Sequence, residues 1–188
     1  MNQILVLSGP PGAGKTAVAA AICERYDRML RVEVDTLRLW VCAGYRHPWA
    51  GDAQWEEQRQ LATRNACAIA RESIAARYAV VIDDLALAAD LACYRDALEG
   101  VDALVEAVTL LPDLATMLAR DGGRGESVTL DDPERLRELH ARFATEAAAG
   151  ELPGALLDTS ADADAHVTAD RIMALVATGA AVLLGERA

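Results

Sequence analysis

The sequence predicts a three-layer α/β/α fold, a parallel sheet of five strands with helices on both faces. Three observations predict it. Short apolar or β-branched runs alternate along the chain with longer, alanine-rich helical stretches. The first run ends on a glycine-rich turn, Gly9-Pro10-Pro11-Gly12-Ala13-Gly14-Lys15-Thr16, that opens a helix. Later runs stop at aspartates: Asp35, Asp83-Asp84 and Asp158. Strands separated by helices return in the same direction, so the sheet they build is parallel and covered on both sides.

Ile4 to Leu7 is a continuous apolar run, as a strand buried on both faces requires. Lys15 to about Tyr26 reads as a helix with Val18, Ile22 and Cys23 near one face. Leu30-Arg31-Val32-Glu33-Val34 alternates and forms a second strand ending at Asp35. A helix begins at Thr36 and reaches Trp40, then breaks over Gly44 to Gly51. From Ala53 to Arg77 the pattern is helical with no Gly or Pro. Ala79-Val80-Val81-Ile82 is the third strand, Leu91 to Leu98 a short helix, and Ala103 to Val108 the fourth strand.

Pro112 suits the first position of the next helix, which ends near Arg120-Asp121-Gly122-Gly123. Asp132-Pro133-Glu134 has the cap-then-proline form of a helix start, running to about Ala149. Leu156-Leu157-Asp158 is a short fifth strand and Val167 to Ala177 the last helix. The tail from Ala180 to Ala188 reads as an extension of that helix. Residues 1–188 thus form one domain, with a small lid at about 120–132.

Composition narrows the class of protein. The chain has 188 residues, a formal charge of −11 and a hydrophobic fraction of 53%, which suits one well-filled core. The acidic balance speaks against a nucleic-acid partner or an anionic membrane, both of which require a basic face. Four scattered cysteines without CxxC spacing fit free thiols in a reducing cytoplasm. The N-terminus has no signal-peptide pattern and no apolar run is long enough to span a bilayer. Of the 18 basic residues only Lys15 is a lysine, and it stands in the glycine-rich turn, where a compact ammonium suits phosphate.

The turn fits G-x-x-x-x-G-K-[ST] at every fixed position. Its glycines let backbone N–H groups wrap phosphate oxygens, and the helix that follows adds the positive end of its dipole. Gly9, Pro10, Pro11, Gly12, Ala13, Gly14, Lys15 and Thr16 are therefore the expected ATP-binding residues. Lys15 is expected to reach the β- and γ-phosphates, with the Thr16 hydroxyl on Mg²⁺. Asp83, after a buried strand, is expected either to hold Mg²⁺ through a water or to cap the turn, with Asp84 as a possible substitute.

Asp35 stands at the carboxyl end of a strand, where the crevice of a doubly wound sheet lies. It is read as the base that takes the proton of an attacking alcohol, a role compatible with capping the helix behind it. Arg38 is one turn further on. Trp40, Tyr45, Arg46, His47, Pro48, Trp49 and Trp55 crowd into the next stretch. Asp35, Arg38, Trp40, Tyr45, His47 and Trp49 are therefore the expected acceptor-binding residues. Arg120 and Arg124 flank two glycines, so a loop there is expected to close over the nucleotide, with both arginines catalytic and Arg120 also on the nucleotide.

With these motifs in place, the chain resembles small P-loop kinases of the nucleoside-monophosphate-kinase superfamily. It is most similar to the group of chloramphenicol phosphotransferase, tunicamycin-resistance proteins, gluconate kinase and zeta toxins. The resemblance rests on Gly9 to Thr16, Val32-Glu33-Val34-Asp35, Val80-Val81-Ile82-Asp83-Asp84, Arg120 to Arg124 and Leu156-Leu157-Asp158-Thr159-Ser160. It implies a parallel sheet in the order 2-3-1-4-5, Asp35 as base and lid arginines on phosphates. The two prolines of the loop depart from the Gly-Gly-Ser-Ser start of chloramphenicol phosphotransferase.

The expected activity is ATP- and Mg²⁺-dependent transfer of the γ-phosphoryl group to a hydroxyl of a small molecule, including resistance-type transfer to an antibiotic. Two alternatives remain: a P-loop ATPase or switch acting on a protein partner, and a zeta-toxin-like UDP-sugar kinase. The expected state is a cytoplasmic monomer or homodimer.

Overall fold

A computed structural model describes residues 2–47, 50–121 and 132–185. The strands are β1 (Gln3–Ser8), β2 (Met29–Glu33), β3 (Ala79–Asp83), β4 (Leu104–Leu110), β5 (Ala155–Leu157) and β6 (Val182–Leu184). The helices are α1 (Lys15–Cys23), α2 (Val34–Arg38), α3 (Ala53–Ala75), α4 (Ala88–Ala97), α5 (Leu114–Asp121), α6 (Pro133–Ala148) and α7 (Ala165–Thr178).

Five strands run parallel in the order β2-β3-β1-β4-β5, as the resemblance implies. Side-chain alternation along β1 divides the core. Ile4 and Val6 point to the face covered by α3 and α4, with Ala66, Ala70, Leu91 and Tyr94. Leu5 and Leu7 point to the other face, covered by α1 and α7, with Val18, Ile22, Ala169 and Ile172. All four β1 side chains are fully buried, which is why this strand reads as an unbroken apolar run.

Several local expectations are corrected. The tail does not prolong the last helix. Gly179 ends α7 in a left-handed conformation (φ 78°), and the chain turns back as β6, antiparallel to the first half of β4. β5 lies along the second half of β4, so the two short strands share one edge and the sheet has six strands. Pro112 is not the first residue of α5: Asp113 caps the helix instead, accepting from the Thr116 N–H at 2.8 Å. The expected Asp132 cap and Pro133 start of α6 are found, with Asp132 accepting from the Glu134 N–H. α7 opens at Ala165, two residues before the expected Val167, because Asp164 accepts from the N–H groups of His166 and Val167.

Parallel register brings the functional ends of the strands to one rim. Asp83 is the cross-strand neighbour of Leu7 on one side and Glu33 on the other. The Asp84 N–H donates to the Leu7 carbonyl at 3.1 Å. Ser8 and Ala86 exchange hydrogen bonds through the Ser8 hydroxyl, tying the start of the glycine-rich turn to the segment after β3. Among the described residues no helix is long and apolar enough to cross a membrane.

Candidate active site

The turn after β1 is shaped by glycines in conformations that other residues avoid. Gly9 has φ 144°, and a Cβ there would overlap the Leu110 carbonyl oxygen at the end of β4. Gly14, the residue before α1, has φ 93°. No side chain caps the start of α1, and the first N–H groups of a helix, which have no acceptor within it, bind phosphate at such an N-terminus. Lys15 curls over the turn, its Nζ donating to the carbonyls of Gly9 (2.9 Å) and Pro10 (3.2 Å). Phosphate oxygens offer that ammonium stronger, charged acceptors than these carbonyls.

Thr16 donates its hydroxyl hydrogen to Asp83 Oδ2 at 2.7 Å. A hydroxyl and a carboxylate that close are hard oxygen donors of the kind Mg²⁺ uses when phosphates and waters complete its shell, so the residues present fit that ion. Among the described residues no cluster of three His, Cys, Asp or Glu side chains forms a self-sufficient metal cage.

Asp35 falls in the first turn of α2, just past the strand end, and its side chain is 63% exposed. Arg38, one turn on, holds it: Nη1 donates to Asp35 Oδ1 at 2.9 Å. The same guanidinium donates through Nη2 to Asp84 Oδ1 at 3.1 Å. Asp84 is buried and its oxygens are fully engaged, Oδ1 also accepting from the Leu85 N–H (2.8 Å) and Oδ2 from the Tyr94 hydroxyl (2.8 Å). Burial pushes the Asp84 carboxyl upward against the opposing pull of Arg38 and the Tyr94 hydrogen bond. Burial also raises the Tyr94 phenol well above its ordinary value, so it stays protonated and donates. Asp84 is therefore not available as the substitute metal ligand.

A cavity of about 430 Å³ opens between these groups. Lys15, Thr16, Asp35, Arg38 and Asp83 line one side, which brings the expected phosphate, metal and base residues to one space. The other side, apart from Trp55 of the aromatic stretch, consists of residues the sequence reading did not assign. Trp55, Glu56 and Arg59 come from the first turns of α3, Leu87, Ala89 and Asp90 from the start of α4, and Leu139, Arg142 and Glu146 from one face of α6. Arg59 is fixed there, pairing with Glu56 (2.8 and 2.6 Å) and with Asp90. The available signals were helical spacing: Trp55, Glu56 and Arg59 at i, i+1, i+4, and Leu139, Arg142 and Glu146 at i, i+3, i+7.

The aromatic stretch is placed differently from the expectation. Trp40 is 62% exposed, Tyr45 and His47 are exposed, and none of the three lines the cavity. Among the described residues that follow Arg38, the first to line the cavity is Trp55. Trp49 and Arg124 lie outside the described residues, as does most of the expected lid segment.

Arg120 sits in the last turn of α5 and donates to the Thr159 carbonyl at 2.9 Å and to its hydroxyl at 3.3 Å. It borders a second hollow of about 240 Å³ on the outer side of the glycine-rich turn, with Gly12, Gly14, Ala17, Asp162 and Thr168. The two hollows flank the phosphate turn, one toward Asp35 and one toward α7.

The AAA domain family matches this sequence over residues 4–146, which takes in the phosphate turn, Asp35, Asp83 and Arg120. The chain belongs to that family. Among curated proteins none matches the sequence of this AAA-domain protein. In structure it is similar to the tunicamycin resistance protein of Deinococcus radiodurans, with TM-score 0.67 and 18% identity over 98% of this chain and 100% of that one. It is also similar to a shikimate kinase from Acinetobacter baumannii in complex with shikimate, with TM-score 0.61 and 22% identity over 95% and 94%. A sugar kinase from Janibacter gives TM-score 0.67 and 18% identity over 94% and 95%. At these identities the likeness shows the fold, that of the P-loop kinases.

Proposed function

We propose that this protein is an ATP- and Mg²⁺-dependent phosphotransferase that moves the γ-phosphoryl group of ATP to a hydroxyl of a small molecule. The observation that carries the reading is the shared cavity: Lys15, Thr16 and Asp83 on one wall and Asp35 beside them, all facing about 430 Å³ of space. A nucleotide-binding module alone has no use for a carboxylate poised opposite its phosphate turn. The size suits a sugar-like or antibiotic-sized acceptor.

In this reading, the backbone N–H groups of residues 9–16 and the Lys15 ammonium hold the β- and γ-phosphates. Thr16 and Asp83 hold Mg²⁺, which supplies charge neutralisation at the phosphate oxygens. Asp35 takes the acceptor's hydroxyl proton as the acceptor oxygen bonds to the γ-phosphorus and the bond from phosphorus to the ADP oxygen breaks. Trp55, Arg59, Leu139 and Arg142 contact the acceptor, and Arg38 orients Asp35. The outer hollow beside Arg120 receives the nucleoside. Arg120 and Arg124 neutralise charge on the transferring group from the lid side. The protein works as a cytoplasmic monomer or homodimer, without nucleic acid or membrane as partner.

The test is ATP consumption by the purified protein with Mg²⁺ against a panel of antibiotics, nucleosides, sugar acids and UDP-sugars. One acceptor that raises consumption and gains a phosphate with wild type, but not with Asp35→Asn, is the expected result. Consumption indifferent to every acceptor and to Asp35 would replace this reading with that of a P-loop ATPase acting on a protein partner.

A further inference from the structure

We propose that Tyr94 of α4 is a positioning residue for phosphoryl transfer: through the buried Asp84 carboxylate it fixes Arg38, and through Arg38 it fixes Asp35. The inference rests on the assignment of Asp35 as base and extends it to two residues that never touch substrate.

The chain of contacts is continuous. The Tyr94 hydroxyl donates to Asp84 Oδ2 (2.8 Å), Arg38 Nη2 donates to Asp84 Oδ1 (3.1 Å), and Arg38 Nη1 donates to Asp35 Oδ1 (2.9 Å). Burial falls steeply along it, from Tyr94 at 0% exposure to the Asp35 side chain at 63%. An exposed aspartate on a five-residue helix has several rotamers open to it, and holding one costs side-chain entropy. Arg38, 13% exposed, restricts Asp35 only as far as Arg38 is itself held, and Asp84 is the buried group that holds it.

Asp84 has one further degree of freedom, rotation of its carboxyl plane. The Leu85 N–H and Arg38 engage Oδ1, and Tyr94 is the group that engages Oδ2. Without that donor a buried carboxylate oxygen is left unsatisfied, which is costly enough to reorient the group toward another donor. Such a turn of Asp84 moves Arg38 and releases Asp35. The Tyr94 ring is core packing, but its hydroxyl donates to the Asp84 carboxylate.

The experiment uses the full chain and the Tyr94→Phe variant, which keeps the ring and removes the hydroxyl. Water serves as the acceptor: MgATP hydrolysis is measured at steady state beside the thermal midpoint. The expected result is a fall in kcat of about tenfold with the KM for ATP within about twofold, the scale seen when a supporting hydrogen bond is removed from a site. Asp84→Asn, the second variant, is expected to lose more.

An independent arm needs no turnover. Arg38 Nε is buried and has no hydrogen-bond partner among the described residues, so exchange of its N–H with water, followed by nitrogen-15 NMR, reports whether the guanidinium stays seated. Faster exchange in Tyr94→Phe is expected; an unchanged rate overturns the coupling. Unchanged kcat, or a rise in KM for ATP together with a lowered midpoint, overturns the positioning role in favour of plain core packing. If wild type neither hydrolyses ATP nor phosphorylates any acceptor, the kinase reading falls and the catalytic role of Tyr94 with it. The exchange arm then still decides whether Tyr94 holds Arg38.

Discussion

Thr16 and Asp83, 67 residues apart in sequence, share a 2.7 Å hydrogen bond across the mouth of the phosphate turn. β1 and β3 are adjacent in the sheet, so the end of one strand and the first turn after the other meet at one point. A carboxylate held against a hydroxyl there offers the hard oxygen donors that the proposed Mg²⁺ site requires.

Removing either side chain should raise the Mg²⁺ concentration needed for half-maximal ATP turnover. For Thr16→Ala or Asp83→Asn the expected increase is about 10- to 100-fold. A Mg²⁺ titration of turnover checks it, and an unchanged requirement in both variants would remove the pair from the metal site.

Asp35 and Lys15 face the same cavity but should separate in their effects. Asp35→Asn is expected to keep ATP affinity while transfer falls by about 100- to 10,000-fold, the usual range for losing a general base. Lys15→Ala should lose ATP affinity and turnover together. Calorimetric ATP titration beside the transfer assay distinguishes the two patterns.

Gly9→Ala places a methyl group against the Leu110 carbonyl at a backbone φ of 144°. The turn must move to make room, at a cost of roughly 1–3 kcal/mol of stability. Thermal denaturation should show a lowered midpoint, and ATP should protect the variant less than it protects wild type.

Arg77 is the one non-glycine residue with positive φ among the described residues, at 63°, where α3 ends. The Tyr78 N–H closes the helix onto the Ser73 carbonyl at 2.9 Å, a helix end that favours glycine in the left-handed position. Arg77→Gly should stabilise the fold by roughly 1 kcal/mol, seen as a rise in thermal midpoint of about 2–4 °C.

Cys67 is buried on α3, and burial pushes its thiol up to about 12. At pH 8 a thiol reagent should label the exposed Cys42 and Cys93 quickly, the half-buried Cys23 more slowly, and Cys67 only after denaturation. The unfolded thiol ionises near 9 and the folded one near 12. Stability should therefore be constant in this respect below pH 9 and decline as pH rises between those values, because the unfolded chain releases the proton first.

The phosphate site was legible in the sequence because its chemistry is local. Eight consecutive residues form the turn, and the strand before it and helix after it are written in the same stretch. Strand identity was equally local: β1, β3 and β4 are buried between two helical layers and read as apolar or β-branched runs, and β2, at the sheet edge with Val32 buried, reads by its alternation. Asp35 and Asp83 could be singled out because parallel strands bring their carboxyl ends to one rim, and Arg120 because it stands beside two glycines between helices.

Tertiary structure decided what depends on distant segments meeting. The far wall of the cavity joins Trp55 and Arg59, Asp90, and Arg142, from three helices whose packing angles no local pattern encodes. The aromatic stretch around Trp40 has a pocket-like composition, yet Trp40, Tyr45 and His47 are exposed and do not line the cavity. Asp84 resembles a second metal ligand beside Asp83. Adjacent residues leaving a strand face opposite sides, so one aspartate reaches Thr16 at the rim and the next turns inward to Arg38 and Tyr94. The tail became a strand because Gly179 reverses the chain beside an edge of β4 that the short β5 leaves half unpaired. The sequence alone determined the phosphate turn and the order of elements, since both are set by neighbours along the chain. The far wall of the cavity and the buried contacts of Arg38 are set by neighbours in space.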